Sequence, residues 1–192
     1  VDHVAIHNST AARAAVEHLI AGGCRRVAVV GAHPDGQEGQ ARPSDLRIEG
    51  YRQALAGAGL PHDRRLERPA APWHPRQGAE ATRALLSSGL EFDAVFALND
   101  MLAIGVLRAL REARVQVPGD VSVIGFDNVE AGRFTAPSLT SVDPGRSEIA
   151  ETSVAMLIER MRQKSQPHPP ARLHKAAFRV VARESTRSTP AG

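Results

Sequence analysis

Of its 192 residues the chain has one cysteine, one tryptophan and one tyrosine, and aromatics make up only 4%. With Cys24 alone, no disulfide can close within the chain, which suits a reducing compartment. Cys24 stands between Gly23 and Arg25, just ahead of an apolar run. It reads as a packed thiol rather than a reactive one, because buried cysteines are usually inert. Scarce aromatics leave Val, Leu, Ile and Ala to build the core. No apolar run approaches the roughly 18 residues of a membrane span. The chain does not open on a basic, then apolar, then small-residue leader. The expectation is a cytoplasmic protein with no membrane partner.

Signatures of catalysis are missing as well. Ser9, Ser44 and Ser87 lack a G-x-S-x-G setting. No G-x-G-x-x-G follows a strand, and no P-loop lysine is present. His33 and His74 fall in loops with no second ligand at metal spacing, and are expected to face solvent. The sequence therefore predicts no enzyme, no cofactor and no metal. The formal charge is +3, from 24 Lys and Arg against 21 Asp and Glu. The arginines are scattered along helix faces and the tail rather than gathered in a basic block, so charge makes no case for nucleic acid.

What the chain does have is alternation. Ala11, Ala12, Ala15, Val16, Leu19 and Ile20 recur at helical spacing, with Asn8 or Ser9 available as a cap and Gly22-Gly23 as the stop. Residues 27–31 form a continuous apolar run that suits a strand covered on both faces. Residues 32–43 read as a loop. A helix is expected over 44–58, with Leu46, Tyr51 and Leu55 inward. The proline-bearing stretch 59–76 reads as irregular around one short strand. Further helices are expected over 77–88 and from Asn99-Asp100 to about 113, with strands over 94–98 and 121–125. After a long connection come a helix over 148–161, a polar linker over 163–170 and a strand over 178–182. Residues past Thr186 read as frayed. The order predicts an α/β fold with a mainly parallel sheet flanked by helices. Ligands of such sheets bind outside the carboxyl ends of the strands. Those ends carry Gly31, then Asn99 and Asp100, then Asp127 and Asn128. Turn chemistry explains one or two of these polar ends, since Asp and Asn bond local backbone; three together favour a binding site.

The segment "FDAVFALNDMLAIGVLRALREARVQVPGDVSVIGFDNVEAGRFTAPSLTSV" resembles the lactose-repressor (LacI/GalR) family of bacterial transcriptional regulators. It has that family's N-D pair before a helix, the "VPGDVSVIGFDN" block and the "P-x-L-T-S-V" return. "AVEHLIAGGCRRVAVVG", "RIEGYRQALAGAGL" and "FRVVARESTRS" continue the resemblance in register over nearly the whole chain. The resemblance implies a periplasmic-binding-protein-like lobe over about 1–140 plus 172–186, and a helix of the opposite lobe over about 147–161. The family's DNA-binding helix-turn-helix and most of its N-terminal lobe have no counterpart in this sequence. The implied partners are a sugar-like effector, operator DNA through that missing head, and a second copy in a homodimer. An exported solute-binding protein of the same fold is the alternative.

By resemblance, Arg47 is an effector-binding arginine and Asp127 the ligand-binding carboxylate, an ionised group able to accept two hydroxyls. Asn99 matches a ligand-contacting position. Asp100 belongs to the same set but also reads as the N-cap of the helix that follows. Trp73, in "APWHP", matches an aromatic of the cleft; anchoring its own loop is an equal reading. Phe126 reads as core. Pro144 stands where some members carry a polar hinge residue, which removes a contact there. Leu102, Ala103, Val106 and Leu110 are candidates for dimer contacts, although helical periodicity places them equally in the core.

Overall fold

The computed structural model describes residues 1–33, 42–162 and 170–188. In chain order the elements are β1 (His3–Ala5), α1 (Asn8–Ala21), β2 (Val27–Ala32), α2 (Pro43–Gly57), β3 (Glu67–Pro69), α3 (Pro75–Ser87), β4 (Ala94–Ala97), α4 (Asp100–Glu112), β5 (Ser122–Phe126), β6 (Thr140–Asp143), α5 (Arg146–Arg162), β7 (Leu173–Lys175) and β8 (Arg179–Val181). Most of the expected loop over 32–43 and of the linker over 163–170 lies outside the described residues.

Six strands form one sheet in the order β3-β2-β4-β5-β6-β8. Every neighbouring pair is parallel except β6 with β8. Each residue of β2, β4 and β5 is buried, which is why these runs, Ser122 excepted, are apolar without alternation. α1 and α2 cover one face, where Val16, Leu19, Tyr51 and Leu55 pack with Phe96 and Phe126. The lone tyrosine is fully buried, and its hydroxyl donates to the Val27 carbonyl at 2.9 Å. α3 and α4 cover the other face, where Leu85, Leu102, Val106 and Leu110 pack with Val30, Val95 and Val123. These two helices touch backbone to backbone: a Cβ at Gly105 would stand 1.9 Å from the Pro75 carbonyl oxygen.

β1 and β7 pair with each other, in parallel, apart from the six-stranded sheet. α5 is tied to them through Asp2, whose carboxylate accepts from the Arg160 guanidinium at 2.6 and 2.9 Å and from Arg172 Nη2 at 3.0 Å. No residue of α5 is buried, and Val154, Leu157, Ile158 and Met161 are exposed.

Several expectations need correcting. Leu102, Ala103, Val106 and Leu110 are all fully buried against the sheet, so they belong to the core and to no dimer contact. The N-cap of α4 is Asn99, whose side chain accepts from the Leu102 N–H at 2.8 Å; Asp100 is the first helical residue. Neither Asn8 nor Ser9 caps α1; its cap position is His7, without a side-chain bond. The long connection after β5 contains a further strand, β6. The tail past Thr186 is pinned rather than frayed at Arg187, which donates to the carbonyls of Pro118, Gly119 and Asp120.

Asp100 braces the carboxyl end of the sheet. It is 1% exposed, and its two oxygens accept from the Val129 N–H at 2.7 Å and the Ser141 hydroxyl at 2.6 Å. α4, the loop after β5, and β6 are thereby held together by one carboxylate. Gly125 makes room for it, since a Cβ there would meet Asp100 Oδ1 at 2.2 Å. Burial pushes this carboxyl up to about 6, against the pull of its two hydrogen bonds.

Two outcomes follow from this packing. Leu102→Ala should lower the unfolding free energy by about 3 kcal/mol in urea, the usual loss for emptying a well-packed leucine site. The Asp100 pKa is higher folded than unfolded, so the folded state holds more protons between pH about 4 and about 6. The contribution of Asp100 to stability should therefore fall as pH rises through that window and level off above it, by on the order of 3 kcal/mol in all. Urea titrations of the protein and of Asp100→Asn across that range should diverge accordingly; a constant difference between them would contradict the assignment.

Candidate functional site

The chain leaving β5 adopts a backbone that side chains ordinarily avoid: Asp127 has φ 108° and Asn128 φ 50°. The surroundings hold it there. The Asp127 N–H donates to the Val142 carbonyl at 2.9 Å, and the Asn128 N–H to the Ser141 hydroxyl at 3.0 Å. The Asn128 side chain accepts from Arg183 at 2.6 Å and donates to Asp143 at 3.3 Å, while its carbonyl accepts from Arg146 at 2.7 Å. Asn128 is thus structural. The Asp127 carboxylate, by contrast, makes no hydrogen bond among the described residues, so it is not closing a turn. It is half-buried, and that burial pushes its pKa up while Arg47 and Arg146 pull it back.

Arg47 faces it. This arginine is 4% exposed, so its charge is buried rather than solvated. Its Nε–H donates to Asn8 Oδ1 at 2.9 Å and its Nη1 to the Leu98 carbonyl. The guanidinium lies 3.6 Å from the centre of the Phe126 ring and 5.6 Å from that of Trp73. Nη2 lies 3.8 Å from Asp127 Oδ1 and has no hydrogen-bond acceptor among the described residues. Burial lowers the Arg47 pKa to about 10, with Asp127 and Asp100 opposing, so the group stays charged at neutral pH. A buried charge is tolerated only when it is held by partners, and here one side of the fork is held while the other is left beside a carboxylate.

Trp73 is half-buried and packs against the cores on both faces of the sheet. Its Nε1–H donates to the Gly31 carbonyl at 3.1 Å, so it anchors its loop and offers the site its ring, not its donor. Asn99 stands at the same edge with both polar atoms engaged: Oδ1 caps α4, and Nδ2 donates to the Trp73 carbonyl at 3.4 Å. Asp100 lies beneath, its oxygens likewise engaged. Arg47, Asp127 and Trp73 therefore converge with free chemistry, and Asn99 and Asp100 support them. Phe126 is fully buried and forms the floor under Arg47. Pro144 is buried, His33 and His74 are exposed, and Cys24 is a buried thiol pushed up by burial. A separate depression of about 360 Å³ is lined by Arg146, Ser147, Phe178 and Arg179.

The sequence assigns Arg146 no role and does not point to the bonds that Asn8 and Asn128 make. Asn8 looked like a cap, the commonest role of an asparagine before a helix. Arg146 lay in an unassigned stretch, and Asn128 was paired in the reading with Asp127 without a role of its own.

A model of the periplasmic binding protein-like domain matches residues 16–186. Over 149 residues the chain is 38% identical to the ribose operon repressor of Escherichia coli strain K12, an alignment covering 78% of this chain and 43% of that protein. The chain thus spans less than half the length of that relative. Among solved structures, it is similar to a putative transcriptional regulator of LacI family from Sanguibacter keddieii. The TM-score is 0.90 at 49% identity, covering 96% of this chain and 68% of that one. It is also similar to a LacI family transcriptional regulator from Enterococcus faecium with bound ribose. That TM-score is 0.81 at 29% identity, covering 96% and 65% of the two chains. A parallel sheet with this strand order, a matching domain model and close likeness to such regulators together place the chain in the LacI family, within its periplasmic-binding-protein-like domain.

Proposed function

We propose that this chain is the effector-sensing region of a LacI-type transcriptional regulator and that its effector is a small sugar or sugar derivative. One observation carries the reading: Arg47 Nη2 and Asp127 Oδ1 form an ion pair at 3.8 Å, and neither atom makes a hydrogen bond among the described residues. A hydroxyl both donates and accepts, so one hydroxyl can bridge the pair and its neighbour can use the second carboxylate oxygen. The ring of Trp73 supplies an apolar wall suited to the C–H face of a sugar. The bound ribose in the Enterococcus faecium structure supports the same chemistry.

The unit built on the six-stranded sheet is one lobe. β1, β7 and α5 lead to a second lobe elsewhere in the protein, and the exposed apolar side chains of α5 favour such a neighbour. Effector bound between the lobes stabilises one arrangement over the other, and so changes the operator affinity of DNA-binding heads in a homodimer. The subunits pair through surfaces other than the buried Leu102 face. The relatives' names support a cytoplasmic regulator over an exported solute-binding protein or an enzyme. Among the described residues no helix is long and apolar enough to cross a membrane.

The test is a titration of neutral sugars and sugar phosphates against the protein with both lobes, following emission from Trp73. One sugar class should give a saturable change. Asp127→Ala should weaken that binding by about 10- to 100-fold, the loss of a charge-assisted hydrogen bond or two. Arg47→Lys keeps the charge but loses the planar fork, and should cost about tenfold. Sugar binding that both variants leave unchanged would remove these residues from the site.

A further inference from the structure

We propose that Asn8 is a positioning residue for Arg47: it fixes the plane of the guanidinium so that Nη2 meets the effector beside Asp127. The inference rests on the sensor reading and concerns how that site is set. Asn8 is the first residue of α1, directly after the cap position His7. Here no side chain caps α1, and Asn8 Oδ1 instead accepts from Arg47 Nε at 2.9 Å, across 39 positions of sequence.

The geometry gives that bond its consequence. A guanidinium is planar, so two bonds on different nitrogens fix both its direction and its roll. Leu98 holds Nη1 and Asn8 holds Nε, which leaves Nη2 alone to face Asp127. The rings of Phe126, 3.6 Å from the guanidinium, and of Trp73, 5.6 Å from it, offer no hydrogen-bond acceptor to fix its rotation. Without Asn8 the fork turns about its bond to Leu98, and the 3.8 Å relation to Asp127 is lost.

The helices are built to bring Asn8 within reach. Gly50 lies three positions after Arg47, on the same face of α2. A Cβ at Gly50 would stand 2.1 Å from the Ser9 carbonyl oxygen and 2.9 Å from the Arg13 nitrogen. Only a residue without a side chain lets α2 settle on the first turn of α1. In "RIEG" the arginine reads the effector and the glycine lowers it onto Asn8. Asn8 also follows β1 by three residues, and β1 pairs with β7 outside the main sheet. The orientation of Arg47 is thereby tied to the strand pair that leads away from this lobe.

Two measurements test the proposal. The first needs no ligand: hydrogen exchange of the Arg47 Nε–H, followed by NMR on the 192-residue chain. It should be at least about tenfold faster in Asn8→Ala than in the unaltered protein, as expected when a hydrogen bond worth about 1.5 kcal/mol is lost. Asn8→Asp, which keeps the acceptor, should restore it. Gly50→Ala should behave as Asn8→Ala does; if it fails to fold, Asn8→Ala decides alone. The second is a double-mutant cycle on whichever sugar changes Trp73 emission. Asn8→Ala should weaken binding about tenfold when Arg47 is present and less than about twofold in the Arg47→Lys background, the signature of two residues acting as one unit. Unchanged Nε exchange in Asn8→Ala, or equal losses in both backgrounds, would overturn the proposal. If no sugar binds the unaltered protein, the sensor reading fails while the exchange measurement still decides the role of Asn8.

Discussion

The burial of a single charge organises the carboxyl edge of this sheet. Arg47 is carried on a helix into a place where only 4% of it meets solvent. Removing a guanidinium from water is expensive, and the expense is offset only by well-placed acceptors and an opposing charge. Asn8, the Leu98 carbonyl and Asp127 provide these, and the Phe126 ring centre lies 3.6 Å from the cation. Each comes from a different part of the chain. Seating one arginine therefore fixes the start of α1, the end of β4, the end of β5 and the face of α2 relative to one another.

The opposing wall is held by strain and its compensation. Two successive residues with positive φ are costly, and they persist because Asp100, Ser141, Arg183 and Asp143 fix the backbone and the Asn128 side chain around them. The result is a carboxylate with its backbone immobilised and its oxygens unengaged. A site whose groups are already in place loses little further freedom on binding, which favours affinity for a small, polar ligand. Asp100 does this work from below, without offering its own oxygens to the cleft.

Much of the architecture could be read from residue order because its signals are local. The runs ending in Gly31, Leu98 and Phe126 are apolar apart from Ser122, as suits strands buried on both faces, and the intervening helices carry clear periodicity. β1, β6 and β7 were not legible: three or four residues give no period, and their strand character comes from partners distant in the chain. Adjacent Asn99 and Asp100 are both good caps, so sequence could not say which would cap and which would brace. The face of α4 has the same spacing whether it meets a sheet or another subunit; only packing shows that it meets the sheet. Resemblance points to Arg47 and Asp127 but gives no distance between them, and the bond of Asn8 is hidden because its partner lies 39 positions away.

A structure of the protein with a bound sugar tests the central claim most directly. The account predicts a sugar hydroxyl seated between Arg47 Nη2 and Asp127, the ring against Trp73, and the Asn8 bond to Arg47 intact. A sugar bound elsewhere, such as the depression beside Phe178 and Arg179, with the Arg47–Asp127 gap left unfilled, would contradict it.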